Sequence, residues 1–206
     1  MRPTEVLALA TMVLVLAGWL LWISASRLDR LHRKVVSSRA VVDAQLVRRA
    51  TVAGELAASG LLDPVSSVVL GESAWQALTA ATSSSPPELR ALLDDSPSEP
   101  PAPYPLDRPR SESELTATLT EVLSDPDEVA ELVGEPIGAE LLDSLAAAWY
   151  RVQLARRFHN ESVAQAQHVR AGWRVRTFRL AGHAPWPTTL ELDDTWPATL
   201  AGYGRG

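Results

Sequence analysis

The sequence predicts an all-α protein, in which a single N-terminal transmembrane helix continues into an antiparallel bundle of long helices with a flexible proline-rich insertion. Three observations lead to this fold class. Residues 6–23 form an uncharged apolar run, apolar residues recur at helical spacing through much of the remaining chain, and prolines concentrate in residues 84–110.

The first element is an apolar run, VLALATMVLVLAGWLLWI, at residues 6–23. With a rise of about 1.5 Å per residue, a helix of this length spans roughly 27 Å, close to the hydrocarbon thickness of a bilayer. We therefore expect residues 1–26 to form a membrane anchor that contacts the bilayer through residues 6–23. The alternative is a secretory signal peptide cleaved at residues 24–26, but the apolar run is longer than usual for such a peptide and only Arg2 precedes it as a positive charge.

Aromatic and basic residues mark the C-terminal end of this run. Trp19 and Trp22 lie where aromatic residues are enriched at a membrane interface. The basic residues that follow are Arg27, Arg30, Arg33, Lys34 and Arg39. Because positive charge is enriched on the cytoplasmic side of a span, the sequence predicts a single-pass protein of the cell membrane with an external N-terminus and a cytoplasmic body.

Residues 27–83 are expected to contain a stalk helix and a second bundle helix. No turn signal interrupts the anchor helix before about residue 58, and apolar residues recur every three or four positions up to that point. Asp63 and Pro64 then have the pattern of an N-cap followed by a first-turn proline. This second helix should end near Ser83.

Residues 84–110 are expected to form a flexible linker. The stretch contains eight prolines, which remove backbone donors and bias the preceding residues away from helix. The alternative is that PPAPYP, residues 100–105, is an extended proline-rich ligand. No flanking basic pattern supports that role, so the linker is the preferred interpretation.

Residues 111–206 are expected to contain short acidic helices, a long last helix and an irregular tail. Residues 111–114 have capping-box spacing, and the Asp-Pro pair at 125–126 begins another short helix. The long helix is predicted over about 139–173, and in the tail residues 188–192 have the pattern of a short extended piece. One stripe of the long helix consists of residues spaced three or four positions apart: Leu145, Ala148, Val152, Ala155, His159, Ser162, Ala166, Val169 and Trp173.

The net charge of -6 is unevenly distributed along the chain. Residues 86–143 carry fifteen acidic and three basic side chains, whereas residues 1–60 and 144–206 each carry four acidic and eight basic ones. A nucleic-acid-binding protein would present a basic face on its folded part, so the sequence predicts no nucleic-acid partner. The acidic middle is interpreted as a solvated surface that is available to a basic protein partner.

No catalytic, cofactor or metal site is predicted. The chain has no cysteine, and its histidines at positions 32, 159, 168 and 183 lack the spacing of a helical zinc site. The sequence also lacks a GxSxG nucleophile elbow and a glycine-rich phosphate loop. We therefore expect a non-enzymatic protein without a cofactor.

The most polar stretch of the long helix is QLARRFHNESV, residues 153–163. Helical geometry places His159 on the apolar stripe and Arg156 and Arg157 on its flanks or back. A buried neutral imidazole needs a hydrogen-bond partner, and burial disfavours its protonated form. We expect His159 to be a satisfied core or interface histidine, and it is the first position to test for any further role.

Two elements of the chain resemble the LemA family. DAQLVRRATVAGELA in the first long helix is similar to the family's QLxRRxxLIPxLV element, and ARRFHNESV in the last helix is similar to its ARRxYN element. The tail stretch RLAGHAPWPTTLELDD is similar to the family's closing hydrophobic turn. The matching positions are Gln45, Leu46, Arg48, Arg49, Leu56, Ala155, Arg156, Arg157, Asn160 and Val163.

The resemblance covers the first 58 residues and roughly the last 65 and leaves the acidic, proline-rich middle unmatched. The chain departs from the family pattern at Thr51, Gly54 and Glu55, at His159, where the family has tyrosine, and at the pair 166–167. A divergent LemA-like member is implied: a membrane-tethered antiparallel helical bundle for which the family offers no established catalytic residue.

These observations together predict a membrane-anchored helical-bundle scaffold or adaptor that has a protein partner. The alternative is an accessory enzyme or a receptor-like subunit, with a site in the bundle around Arg156, Arg157 and His159.

Overall fold

The computed structural model describes residues 3–83, 107–178, 186–200 and Tyr203. All regular secondary structure in these ranges is helical, which confirms the all-α prediction, and no strand occurs among them. The α-helices are α1 (Pro3–Ala58), α2 (Pro64–Ser83), α3 (Arg108–Val122), α4 (Pro126–Gly134), α5 (Pro136–Ala171) and α6 (Trp173–Thr177), and a 3-10 turn covers Ala198–Leu200.

Helix α1 combines the apolar run and the stalk in one element, as predicted, and ends at Ala58. In the described part of the chain, α1 is the one helix that is long and apolar enough to cross a membrane by length and composition. Most of the apolar side chains described before residue 24 of α1 are exposed, and Leu14, for example, keeps 72% of its surface.

The starts of α2 and α4 agree with the Asp-Pro signals. The Asp63 carboxylate accepts hydrogen bonds from the backbone N–H groups of Val65 (2.9 Å) and Ser66 (3.2 Å). The Asp125 carboxylate accepts one from the N–H of Asp127 (2.9 Å). In each case the side chain satisfies donors that the first helical turn leaves unpaired.

Helix α3 begins three residues earlier than the predicted capping box. Asp107 is its N-cap residue without a side-chain cap bond, and Pro109 lies in its first turn. Proline is compatible with this position because the first N–H groups of a helix have no intrahelical partner. The predicted linker is therefore wrong for residues 107–110, and residues 84–106 lie outside the described residues.

Helix α5 covers Pro136–Ala171, close to the predicted range. Its predicted stripe is buried from Leu145 to Ala166, whereas Trp173 is 67% exposed and belongs to α6. The predicted extended piece at residues 188–192 is not a strand. Instead, Leu190 and Leu192 belong to an apolar cluster with Val42, Leu46, Val152 and Ala155.

The chain divides into two compact units, each of which contains part of α1 and part of α5. Unit 1 consists of Met1–Arg39 and Phe158–Thr189, and unit 2 of Ala40–Arg157 and Leu190–Gly206. In unit 2, α2 packs against α3, and the Ser73 and Thr118 hydroxyls are 2.9 Å apart. The largest apolar core of unit 2 surrounds Leu56, Leu70, Leu119, Leu145 and Trp149.

Candidate functional site

A buried arginine of α1 lies at the centre of a polar network in unit 2. The Arg49 side chain is fully buried, and its guanidinium donates to Thr116 Oγ1, to the Glu112 backbone oxygen and to Glu112 Oε2, each over 3.0 Å. Its guanidinium carbon is 5.2 Å from the centre of the Trp149 ring, within range of a cation–π interaction. Arg49 therefore connects α1 with α3 and α5.

A second buried arginine extends this network at the start of α3. Arg108 Nη1 lies 3.1 Å from Asp43 Oδ1, and Nη2 donates to the Asp43 backbone oxygen over 3.2 Å. Its Nε is 3.9 Å from Glu112 Oε1, which is an ion pair but too long for a hydrogen bond. Two guanidinium groups and two carboxylates thus balance each other's charge, because neither sign can be buried without compensation.

Burial controls the protonation of the central pair. Burial raises the pKa of the Glu112 carboxyl, and the positive charge of Arg49 offsets part of that rise. Burial likewise lowers the pKa of Arg49, which nevertheless remains charged near neutral pH. The network thus contains a carboxyl, that of Glu112, whose pKa is raised from its ordinary value.

The tail segment Leu190–Thr195 is attached to the same network. Trp149 Nε1 and Gln153 Nε2 donate to the Asp194 backbone oxygen over 3.1 and 2.8 Å. Arg156 makes a bidentate ion pair with the Asp194 carboxylate, over 2.8 and 2.7 Å. The Thr116 hydroxyl lies 2.8 Å from the Asp193 backbone oxygen. The network therefore connects α1, α3 and α5 with the tail.

Loss of the bidentate ion pair should release the tail. Arg156→Gln is expected to reduce stability by about 1 to 3 kcal/mol, since a charge-assisted bidentate pair is lost at a partly buried position. Hydrogen–deuterium exchange at residues 190–195 should rise in the same variant. The matched control is Arg157→Gln, because Arg157 is the exposed neighbour of Arg156. Equal exchange in the two variants would contradict the assignment.

Glu112→Gln should reveal how the network titrates. Because the folded-state pKa of Glu112 is raised, the folded chain binds this proton more tightly than the unfolded chain, and the contribution of Glu112 to stability falls as pH rises from about 4.5 to the raised pKa. The stability of the wild type relative to Glu112→Gln should therefore decrease with pH in that window. Urea unfolding at several pH values measures this difference, and an increase with pH would show instead that Arg49 lowers this pKa.

The two family-like elements meet in unit 2, where Leu46 of the first and Ala155 of the second belong to one apolar cluster. Arg49 and Arg156 belong to the network described above. The other positions are divided between core and surface: Leu46, Leu56, Ala155 and Val163 are buried, Gln45 and Asn160 are partly buried, and Arg48 and Arg157 are exposed. The positions that match the family are thus partly buried and partly exposed, and only Arg49 and Arg156 belong to the arginine network.

His159 belongs to unit 1. It is buried, and its Nδ1 is 3.0 Å from the Ser38 hydroxyl oxygen. That hydroxyl is also 2.9 Å from the Val35 carbonyl oxygen, which can only accept. The Ser38 hydroxyl and His159 Nδ1 are thus within hydrogen-bond distance of each other, and the tautomer of His159 sets which of the two donates. His159 is thus a buried side chain with a hydroxyl of α1 within hydrogen-bond distance.

Four residues of the network were not predicted from the sequence: Glu112, Arg108, Trp149 and Asp194. The interpretation of the acidic middle as solvated surface is wrong for Glu112, which is fully buried. A signal was present, because Glu112 occupies the same face of α3 as the buried residues Leu115, Leu119 and Leu123. A carboxylate in such a stripe indicates a buried partner of opposite charge.

Within the described ranges, no group of three or more histidine, aspartate or glutamate side chains is placed to hold a metal ion. Comparison of the chain with protein-family models, with curated proteins and with solved structures gives no match.

Proposed function

We propose that the protein is a membrane-anchored helical scaffold or adaptor, with a single span at residues 6–23 and a cytoplasmic body built as a LemA-like antiparallel bundle. One observation carries this proposal. Helix α1 exposes its apolar side chains between residues 11 and 23, yet further along the same helix Leu46, Arg49 and Leu56 are fully buried. The element that crosses the bilayer therefore also forms part of the body's core.

Two alternatives for α1 are a soluble core helix and a signal peptide. A core helix would bury its apolar side chains, whereas nearly all of the apolar window of α1 is exposed. A signal peptide would be removed after residues 24–26, so the mature chain would be smaller than 22.3 kDa. Intact-mass measurement on membranes washed with alkaline carbonate separates these cases. We expect the full mass in the membrane pellet, and a shortened or washed-out chain would refute the anchor.

Topology can be tested with single cysteines, because the natural chain has none. Thr4→Cys and Glu121→Cys place a thiol at an exposed position before the span and in the body, respectively. With a membrane-impermeant maleimide, we expect Thr4→Cys to react in intact cells and Glu121→Cys to react only after permeabilisation. The opposite pattern would place the body outside.

The partner of the scaffold is proposed to be a basic protein segment. A groove of about 560 Å³ in unit 2 has Leu61, Leu62 and Leu132 among its lining residues, and the carboxylates of Glu128, Glu131 and Glu135 also line it. A groove lined by both leucine and glutamate residues suits an amphipathic basic helix. A photo-crosslinker at Glu131 in native membranes should capture a partner that a crosslinker at Glu121 does not. Equal capture at both positions would contradict a role for the groove.

A second candidate function is an accessory enzyme or receptor-like subunit with its site next to His159. The observation that favours it is a groove of about 500 Å³ in unit 1, lined in part by Lys34, Ser38 and Glu161. His159→Ala separates the two candidates. Partner capture should persist in this variant if the protein is a scaffold, whereas loss of a small-molecule turnover in the variant would support the enzyme.

A further inference from the structure

Within unit 1, α1 and α5 run in opposite directions. Ser38 on α1 meets His159 on α5, and Lys34, one turn closer to the span, lines the same groove as Ser162 and Gln165. Moving toward the span on α1 therefore corresponds to moving toward the C-terminus on α5. Because both helices rise equally per residue, Trp173 at the start of α6 lies level with about residue 24 of α1.

Buried side chains on α1 and α5 indicate that the two helices stay paired toward the end of the span. Leu28 and Leu31 are buried on α1, and Val163 and Ala166 are buried on α5. These apolar side chains are spaced by one turn on each helix, as a packed pair of helices requires. The C-terminal end of α5 therefore reaches the level at which the uncharged run of α1 ends.

Aromatic and basic side chains are exposed at this level. Trp173, Phe178 and Trp186 keep 67%, 51% and 53% of their surface. Val175 of α6 is buried while Arg176 is exposed, so α6 presents a polar and aromatic face outward. We name Arg170, Trp173, Arg176, Phe178 and Trp186 the aromatic-basic surface.

Contacts with α5 order part of this surface. The Arg170 guanidinium carbon is 5.0 Å from the centre of the Trp186 ring. The Gln167 side-chain amide donates to the Pro187 backbone oxygen over 2.8 Å, which attaches the chain next to Trp186 to α5. Trp186 therefore remains exposed next to the Arg170 guanidinium, although Leu190 and Leu192 later in the tail are buried.

The charged residues around this surface are predominantly basic. No acidic residue occurs between Ser162 and Phe178, and on α1 the basic residues between 27 and 39 face a single aspartate, Asp29, which is paired with Arg33. Tryptophan, phenylalanine and arginine together are typical of segments that lie in the interface of an anionic membrane.

We propose that the aromatic-basic surface is a second membrane contact, which binds anionic lipid headgroups next to the anchor. The inference rests on the proposed membrane anchor and adds the lipid class that the body recognises. The lipid is favoured over an acidic protein because the surface lies level with the end of the span, where Trp19 and Trp22 of α1 are also exposed. Unit 1, attached at two places, would have a defined orientation on the membrane.

The test uses the full chain in vesicles with single nitroxide-labelled cysteines. Thr177→Cys reports on the aromatic-basic surface, Ala164→Cys is an exposed control on α5 further from the span, and Leu14→Cys reports on the anchor. Electron paramagnetic resonance gives the depth of each label from its accessibility to oxygen and to a nickel chelate. The vesicles contain phosphatidylglycerol as about one third of their lipid. We expect the label at position 177 at headgroup depth, the label at position 164 in water and the label at position 14 in the hydrocarbon.

The charge requirement is tested by Arg170→Gln with Arg176→Gln. Each arginine lost should reduce the ratio of membrane-bound to aqueous label at position 177 about fivefold. Arg151→Gln with Arg157→Gln on the same helix is the matched control and should leave this ratio unchanged. Purely zwitterionic vesicles should give the same loss as the first pair of substitutions.

The outcomes separate this inference from the proposed function. Label 14 in water would refute the anchor itself. Label 14 in the hydrocarbon with label 177 in water would overturn the second contact and leave the anchor intact. Label 177 at headgroup depth in both lipid compositions would overturn the recognition of anionic lipid.

Discussion

Replacing Arg49 with methionine is expected to lower the free energy of unfolding by about 3 to 5 kcal/mol, because Glu112 would remain buried without its closer positive partner and would keep only Arg108, at 3.9 Å. Glu112→Leu alone should have a similar cost for the converse reason. For a chain of this size the melting temperature should fall by about 2 to 4 °C per kcal/mol. Unfolding of the full chain in detergent, followed by tryptophan fluorescence, measures the effect.

The double variant makes this prediction specific. Arg49→Met combined with Glu112→Leu removes both charges and keeps similar side-chain volumes, so its stability should return to within about 2 kcal/mol of the wild type or exceed it. Arg48→Met is the matched control, since Arg48 is the exposed neighbour of Arg49, and should change stability by less than about 0.5 kcal/mol. Additive losses in the double variant would show that the two residues do not act as a pair.

Trp149→Ala is expected to cost about 3 to 5 kcal/mol, because a large, fully buried side chain is removed from the core of unit 2. Its ring packs edge-on against Trp196 at 6.0 Å and lies next to the Arg49 guanidinium. Trp149→Phe should cost less, since the aromatic ring is retained and Gln153 still donates to the Asp194 backbone oxygen.

The matched control for this prediction is Trp75→Ala, because the Trp75 side chain is exposed on α2. It should change the unfolding free energy by less than about 0.5 kcal/mol. Equal losses at Trp75 and Trp149 would contradict the burial argument. A double-mutant cycle of Trp149→Phe with Arg49→Met then measures the interaction between the two buried groups.

These predictions concern a network whose members are far apart in the sequence. Glu112 lies 63 residues from Arg49, and Asp194 lies 38 residues from Arg156. The network can therefore serve as a test of whether α1, α3, α5 and the tail fold together. If unit 2 is one cooperative unit, variants at its different ends should shift a single unfolding transition.

Several helix boundaries could be predicted because their signals are local. Asp63 and Asp125 each precede a proline, and each carboxylate caps the turn that follows it. The start of α3 could not be predicted in this way. Asp107 makes no side-chain cap bond there, and the first helical residue, Arg108, is paired with Asp43 of a different helix.

The sequence by itself determined the helical class, the apolar run at residues 6–23, the end of α1 and the buried position of His159, because these depend on composition, spacing and nearest neighbours. Only the tertiary structure decided the partners of Arg49, Arg108 and Arg156 and the burial of Glu112. The physical reason is that a periodic pattern shows which face of a helix is buried, whereas the partner of a buried charge depends on which helix packs against that face.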